Sequence, residues 1–302
     1  LKPDSQLAQK IEKGEFIITA EFLPRAGTNG KALQTAAKAF GGNKITAVNV
    51  SDNHFGIVMS SIAASLSLSR EGLEPVLQMV TRDRNRIALQ SDLIGAAHLG
   101  IKNVLCLTGY HQSLTGNTES TNVFDIDSIQ FVASVKRMRD EGLLLDGTKL
   151  EGEFSLLIGA AANPFLTPLE LNIIRLAKKV EAGADFLQTQ AVFDVEAFIR
   201  WFEAANQEGI PQQTAILAGV LPLESAAEAQ RMSETYTDIF ICEPVVKRLQ
   251  KAGDSEAQKK EGLALCAEIV QQLREIEGLR GIHILSGSKE SKVPEILTAS
   301  GL

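Results

Sequence analysis

Residues 74–108 read EPVLQMVTRDRNRIALQSDLIGAAHLGIKNVLCLT, two apolar runs bracketing one amphipathic stretch. The runs 74–80 (EPVLQMV) and 102–108 (KNVLCLT) are continuously apolar rather than alternating, which suits parallel strands buried on both faces. Between them, 84–100 carries a helical pattern, and Leu99-Gly100-Ile101 is a glycine stop leading straight into the next strand. The chain repeats this unit. Further strands are expected at 15–22, 44–51, 153–160, 184–190, 213–219 and 281–285. Helical patterns fall near 30–40, 57–72, 126–141, 167–182, 194–208 and 224–235, with a paired region at 244–276 and a last helix near 290–300. Ala182-Gly183-Ala184 and Glu208-Gly209-Ile210 repeat the glycine stop. Eight strands with intervening helices predict an α/β fold, a single (β/α)8 TIM barrel over 1–302 with extra helices near the C-terminus. The alternative, an open doubly wound sheet, calls for a Gly-rich first turn, and LPRAGTNG at 23–30 does not match G-x-G-x-x-G.

At 44% hydrophobic and 22% charged residues, the 302-residue chain has the composition of a soluble globular protein. A formal net charge of −7 argues against nucleic acid or an anionic membrane as the main partner. No apolar run approaches the roughly 20 residues of a membrane span, and LKPDSQLAQKIEKGEF at 1–16 lacks a signal peptide's apolar region. Cys106, Cys242 and Cys266 lie far apart, with no C-x-x-C, so reduced thiols and a cytoplasmic protein are expected. His54, His98, His111 and His283 show no zinc spacing, and no metal site is predicted.

In a barrel the chemistry sits at the carboxyl ends of the strands. Glu21 stands inside the first apolar strand, where burial would raise its pKa and make it a candidate general acid; a salt bridge to Arg25 or a neighbouring basic residue is the structural alternative. The later strands end in Asn49-Val-Ser51-Asp52-Asn53, in Gln78 and Thr81-Arg82-Asp83, in Thr108-Gly109-Tyr110-His111, in Gly159 and Asn163-Pro164, and in Gln188-Thr189-Gln190. TRDRNR at 81–86 reads either as a phosphate binder or as a capped helix start with ion-paired arginines, the second being favoured without further context. The polar stretch 109–125 is long for a barrel loop and suits a lid or a ligand contact.

Read in order, these strand ends resemble the methylenetetrahydrofolate reductase family over nearly the whole chain. AEFLPR (20–25), LQMVTRDRNRIALQSDLIGAAHLGIKNVLCLTG (77–109), GAAANPF (159–165), KKVEAGADFLQTQAVFD (178–194) and AGVLPL (218–223) carry the resemblance. It implies a flavin (FAD, with FMN possible) at the carboxyl end of the barrel and reduction of 5,10-methylenetetrahydrofolate to 5-methyltetrahydrofolate by ping-pong hydride transfer. By the same resemblance Glu21 is the general acid, while Gln190 and Met232 contact the folate. Asn49, Gln78, Leu107, Thr108, Gly109 and Tyr110 would lie along the flavin ring and ribityl chain, with Asn163 and Lys179 toward its phosphate. Family members usually carry Asp where this chain has Tyr110, so an altered flavin potential or altered ligand entry is expected. The resemblance implies NAD(P)H or a partner electron-transfer subunit as donor, and because the chain has no iron–sulfur cysteine spacing, any cluster would have to sit on that partner. Relatives associate as homo- or hetero-oligomers, and a chain ending about 20 residues after the last strand suggests a form without the family's regulatory extension. Two other readings stay open: a pterin-binding methyltransferase barrel, which needs no strand-one acid, and a non-catalytic partner subunit.

Overall fold

A computed structural model describes residues 3–42, 44–54 and 56–302. The strands are β1 (Ile17–Phe22), β2 (Ala47–Val50), β3 (Pro75–Val80), β4 (Asn103–Leu107), β5 (Leu157–Ala162), β6 (Phe186–Ala191), β7 (Ala215–Val220) and β8 (Gly281–Ile284). Each pairs in parallel with the next, and β8 returns to β1 to close the barrel. The helices are α1 (Gln6–Lys13), α2 (Gly30–Phe40), α3 (Ser61–Arg70), α4 (Arg86–His98), α5 (Ser128–Asp140), α6 (Leu169–Ala182) and α7 (Val195–Gln207). They continue with α8 (Ala226–Thr235), α9 (Glu243–Lys251), α10 (Ser255–Arg274) and α11 (Val293–Ala299). The expected TIM barrel, with extra helices toward the C-terminus, is therefore present. Among the described residues, no helix is long and apolar enough to cross a membrane.

Two expectations need correction. The chain before β1 forms helix α1, which the sequence patterning did not predict. Its boundaries follow local rules: Ser5 accepts a cap hydrogen bond from Ala8, and Gly14 ends the helix at φ 72°. Leu7, Ala8 and Ile11 share its inner face, but eight residues are shorter than the window over which such a stripe is read as a helix. The fifth ladder starts at Leu157 rather than at 153, because Phe154 and Leu156 bury their side chains against the outer core without joining a ladder. Its far end, Ala160-Ala161-Ala162, is built of poor strand formers and extends past the predicted limit.

The barrel fills its own interior, and the filling changes character along the axis. At the amino end, Ile17, Ala47, Val76, Leu157, Phe186 and Leu217 pack into an apolar plug with Leu7 of α1. Helix α1 is clamped there by its free amide groups: those of Gln6 and Leu7 donate to the Glu74 carboxylate at 2.6 and 3.0 Å. Gly159 leaves the space taken by the Phe186 ring; a β-carbon there would lie 2.2 Å from a ring atom. One layer up, the core turns polar. Asn49 Nδ2 donates to Gln188 Oε1 at 2.6 Å, and Gln188 Nε2 lies 3.0 Å from Asn49 Oδ1 and 3.1 Å from Thr19 Oγ1. Thr19 Oγ1 is 2.9 Å from His283 Nδ1, and burial holds this histidine neutral, its pKa pushed down to about 3. This layer is the floor of the carboxyl-end mouth.

A Leu7→Ala variant should lose about 2–5 kcal/mol of stability through the cavity it leaves in the plug. Urea denaturation measures the loss, and ligand binding at the opposite mouth should stay unchanged.

Candidate active site

Above the polar floor lie two adjoining cavities, of about 250 and 390 Å³. The first is walled by Gln78 of β3, by Leu107, Thr108 and Gly109 at the end of β4, and by Arg175 and Lys179 of α6. The second is walled by Glu21 of β1, by Met232 and Tyr236 at the end of α8, and by Lys289. His54, Tyr110 and Gln190 line both and form the seam.

The walls are set by backbone constraints. Gly109 adopts φ 86°, and a β-carbon there would come within 3.1 Å of both Val80 and Arg82, so the turn after β4 accepts no side chain. Between Gln188 and Ala191 the β6–β7 register shifts, and the amide of Gly219 donates to Thr189 Oγ1 at 2.9 Å. This irregularity falls where Gln190 leaves the strand for the seam. The TRDRNR arginines are braces rather than ligand groups. Arg84 donates to Asp52 at 2.6 Å and to Asp92 at 3.0 Å, Arg86 pairs with Asp125, and Arg82 holds Asp83 and the carbonyls of Asn53 and Tyr110. Asp52, itself buried, also accepts from the amide of Val80, which ties the second strand end to the third.

Glu21 is only 6% exposed, and its carboxyl is raised to about 7. Burial is the main cause and the charge of Glu290 adds to it, against a hydrogen bond from Gln78 that lowers it. An acid of this kind holds a proton near neutrality next to an open cavity. It has no ion pair with Arg25, whose guanidinium donates instead to the carbonyl of Ser288. On α6, Arg175 and Lys179 stand one turn apart facing the first cavity. Burial, and then the charge of Arg175, lowers Lys179 to about 8, so an anion between the two cations would relieve both. The donor set thus fits a planar polar ring against Gln78, Thr108 and Gly109 with a phosphate toward α6. His54 sits edge-on to the Tyr110 ring, with centroids 5.3 Å apart, and burial together with Arg82 lowers its pKa to about 4.

The mouth does not gather every residue singled out in the sequence. Asn49 is fully buried in the polar floor and borders neither cavity. Asn163 likewise borders neither; it accepts from the amide of Phe165 and donates to the carbonyl of Asp238 at 2.9 Å. Asp238 itself was not foreseen. It lies on the segment between α8 and α9, away from the strand ends where a barrel's chemistry is sought. Its Oδ2 accepts from Tyr110 Oη at 2.5 Å and from Gln190 Nε2 at 2.7 Å. Its Oδ1 is closed off from solvent and has no hydrogen-bond partner among the described residues. The only sequence signal was an acidic residue in the turn-rich TYTDIF at 235–240, which is weak on its own.

The sequence model describing methylenetetrahydrofolate reductase matches residues 6–301. A probable methylenetetrahydrofolate reductase (NADPH) from Caenorhabditis elegans is 26% identical over 80% of this chain. A 5,10-methylenetetrahydrofolate reductase from Salmonella typhimurium is 25% identical over 71% of it. The matched part spans about a third (34%) of the nematode protein and 66% of the bacterial one. Among solved structures, a Clostridium thermocellum protein that binds two copies of 5-methyl-5,6,7,8-tetrahydrofolic acid superposes with a TM-score of 0.70 at 16% identity, covering 98% of both chains. With the match running from α1 through α11, and with the closed barrel beneath it, the chain belongs to the methylenetetrahydrofolate reductase family.

Proposed function

We propose that the chain reduces 5,10-methylenetetrahydrofolate to 5-methyltetrahydrofolate at the carboxyl end of the barrel. The observation that carries this reading is Glu21, a buried carboxyl protonated near neutrality that faces the cavity shared with Gln190. Opening the five-membered ring of the substrate needs a proton on its N10 as the bond to the methylene carbon breaks, and Glu21 is the group that supplies it. Gln190 and Met232 orient the folate, one by hydrogen bonding and the other by soft apolar contact. Gln78, Leu107, Thr108 and Gly109 would hold the ring of a flavin, with Arg175 and Lys179 toward its phosphate. When bound, a flavin would supply the hydride after its reduction, either by hydride from NAD(P)H or by two electrons from a partner carrier with a proton from solvent. FAD is the expected form, with FMN the alternative. Tyr110 places no negative charge of its own beside the ring, but through its hydrogen bond it brings Asp238 to the same wall.

A second reading has its own support. The mouth is divided into two chambers, and the Clostridium thermocellum protein of the same fold binds two folate molecules. In that reading both chambers take folate and the barrel is a binding module or a methyl-transfer partner. Titrating the purified protein with flavin and with 5-methyltetrahydrofolate separates the two. One flavin per chain, bleached anaerobically by 5-methyltetrahydrofolate, supports the reductase; two folates per chain with no flavin uptake sinks it.

The general-acid role makes a further prediction. Glu21→Gln should slow folate reduction by about 10²–10⁴-fold while the donor still reduces the flavin at its usual rate. In the wild type, the protonated carboxyl is the active form. The folate half-reaction should therefore run at full rate below pH 7 and fall as pH rises through about 7, a descent absent from the Glu21→Gln profile.

A further inference from the structure

Glu290, on the segment that leaves β8, is a carboxylate the proposed reaction does not use. It borders a separate groove of about 540 Å³ rather than either cavity of the mouth. Its place is fixed from β1. Oε1 of Glu290 accepts from the amide of Leu23, two residues beyond Glu21, at 3.4 Å. The same segment is tied down a second time, where Arg25 Nη2 donates to the carbonyl of Ser288 at 3.0 Å. The turn leading to it passes through two left-handed residues, Gly287 at φ 58° and Ser288 at φ 66°. A non-glycine residue rarely holds that backbone, so the docking of this segment on β1 is a specified arrangement. Glu290 is half-buried and has no ion pair among the described residues, although cations stand near it. Lys289 is taken by Glu228 at 2.7 Å and Glu224 at 3.2 Å, and Lys292 by Glu295 at 3.0 Å. Lys31, across the groove, is exposed and forms no pair with it. A half-buried carboxylate left without a cation raises the free energy of a second negative charge beside it.

We propose that Glu290 is a positioning residue for the general acid: its unpaired carboxylate, anchored at the end of β1, disfavours the anionic form of Glu21 and keeps a proton there for the folate. The role rests on the folate-reductase reading and adds the group that sets where in pH the folate step stops. Burial of Glu21 changes as ligands fill and leave the mouth, whereas a fixed charge acts in both states. The other groups around Glu21 do not supply that charge. His54 is neutral, lowered to about 4 by burial and then by Arg82. Tyr110 remains an uncharged phenol, since burial and then the charge of Asp238 push its ionisation far above the ordinary range. Gln78 carries no charge, and its hydrogen bond favours the anion of Glu21. Asp238 has its Oδ2 engaged by Tyr110 and Gln190. On α8, Glu228 is paired with Lys289, while Arg231 and, beyond the helix, Tyr236 border the same cavity, the arginine being exposed. Glu290 is thus the negative charge that acts on Glu21 alongside burial.

The test compares wild type, Glu290→Gln and Glu290→Asp as full chains. Glu290→Gln keeps an oxygen for the amide of Leu23 and removes the charge; Glu290→Asp keeps the charge. In ligand-free protein, the protonated carboxyl of Glu21 is titrated through its infrared carbonyl stretch, identified by its absence from Glu21→Gln. Removing a negative neighbour stabilises the anion, so the midpoint should fall by about 0.5–1 pH unit in Glu290→Gln and by less than half as much in Glu290→Asp. The folate half-reaction should follow. Its descent with rising pH moves down by the same amount, so the rate near pH 7 drops about two- to fivefold while the rate on the acid plateau stays within about twofold. Reduction of the flavin by the donor should not change. A Glu21 midpoint within about 0.2 unit of wild type in Glu290→Gln overturns the role. So does a folate rate lowered equally at every pH, which marks a structural effect alone. If wild type reduces no folate, the reductase reading falls; the infrared midpoint still decides, without turnover, whether Glu290 holds the proton on Glu21.

Discussion

Closing eight parallel strands creates an interior that must be filled by side chains from the strands themselves, and everything at the mouth depends on where that filling turns from apolar to polar. Below the transition, Phe186 fits into the space left by Gly159 and α1 seals the end. At the transition, Thr19, Asn49, Gln188 and His283 satisfy one another, so a layer of buried polar groups sits on the plug at little cost. Glu21 stands two residues beyond Thr19 on the same strand, on the same face, and is thus lifted out of the satisfied layer to the edge of open space. Its protonation follows from that height: far enough in to lose water, far enough up to meet a ligand.

The same logic separates the basic residues into two classes. Arginines 82, 84 and 86 look from their spacing like a phosphate loop, yet each is spent inside the protein: Arg84 on Asp52, Arg86 on Asp125, and Arg82 on Asp83 and the carbonyls of Asn53 and Tyr110. Arg175 and Lys179 form no basic cluster in sequence, and Lys179 was reached only through the family resemblance, but the helix brings both to one cavity wall, where their mutual repulsion favours an anion. Charge density in sequence and charge availability in space point to different residues here, and availability is the one that bears on ligands.

The barrel was legible because buried parallel strands and glycine-stopped helices write a repeating pattern, and the strand-end survey reached Glu21, Gln78, Thr108, Tyr110 and Gln190 from it. Asn49 and Asn163, set along the flavin by the resemblance, border neither cavity here: one is hydrogen-bonded a layer below and the other beside it, a distinction that strand-end position does not carry. Helix α1 escaped because eight residues are shorter than the window over which a helical stripe is read, although Leu7, Ala8 and Ile11 do share its inner face. Asp238 escaped for a different reason. Its place is fixed by three long-range contacts and by nothing in its neighbours in sequence.

The segment between α8 and α9 gives the mouth a wall that the barrel does not own. Strand ends are hard to alter, since each shares its backbone with the core and a change of register moves a whole row of side chains. A connecting segment carries no such burden. Length and sequence there can drift while the strands, the polar floor and Glu21 stay fixed. In this chain the acid sits on the permanent scaffold, and the carboxylate opposite it sits on the replaceable part. A fold divided in this way can change what it admits without rebuilding how it reacts, and variation among relatives should concentrate on that segment before it reaches the strands.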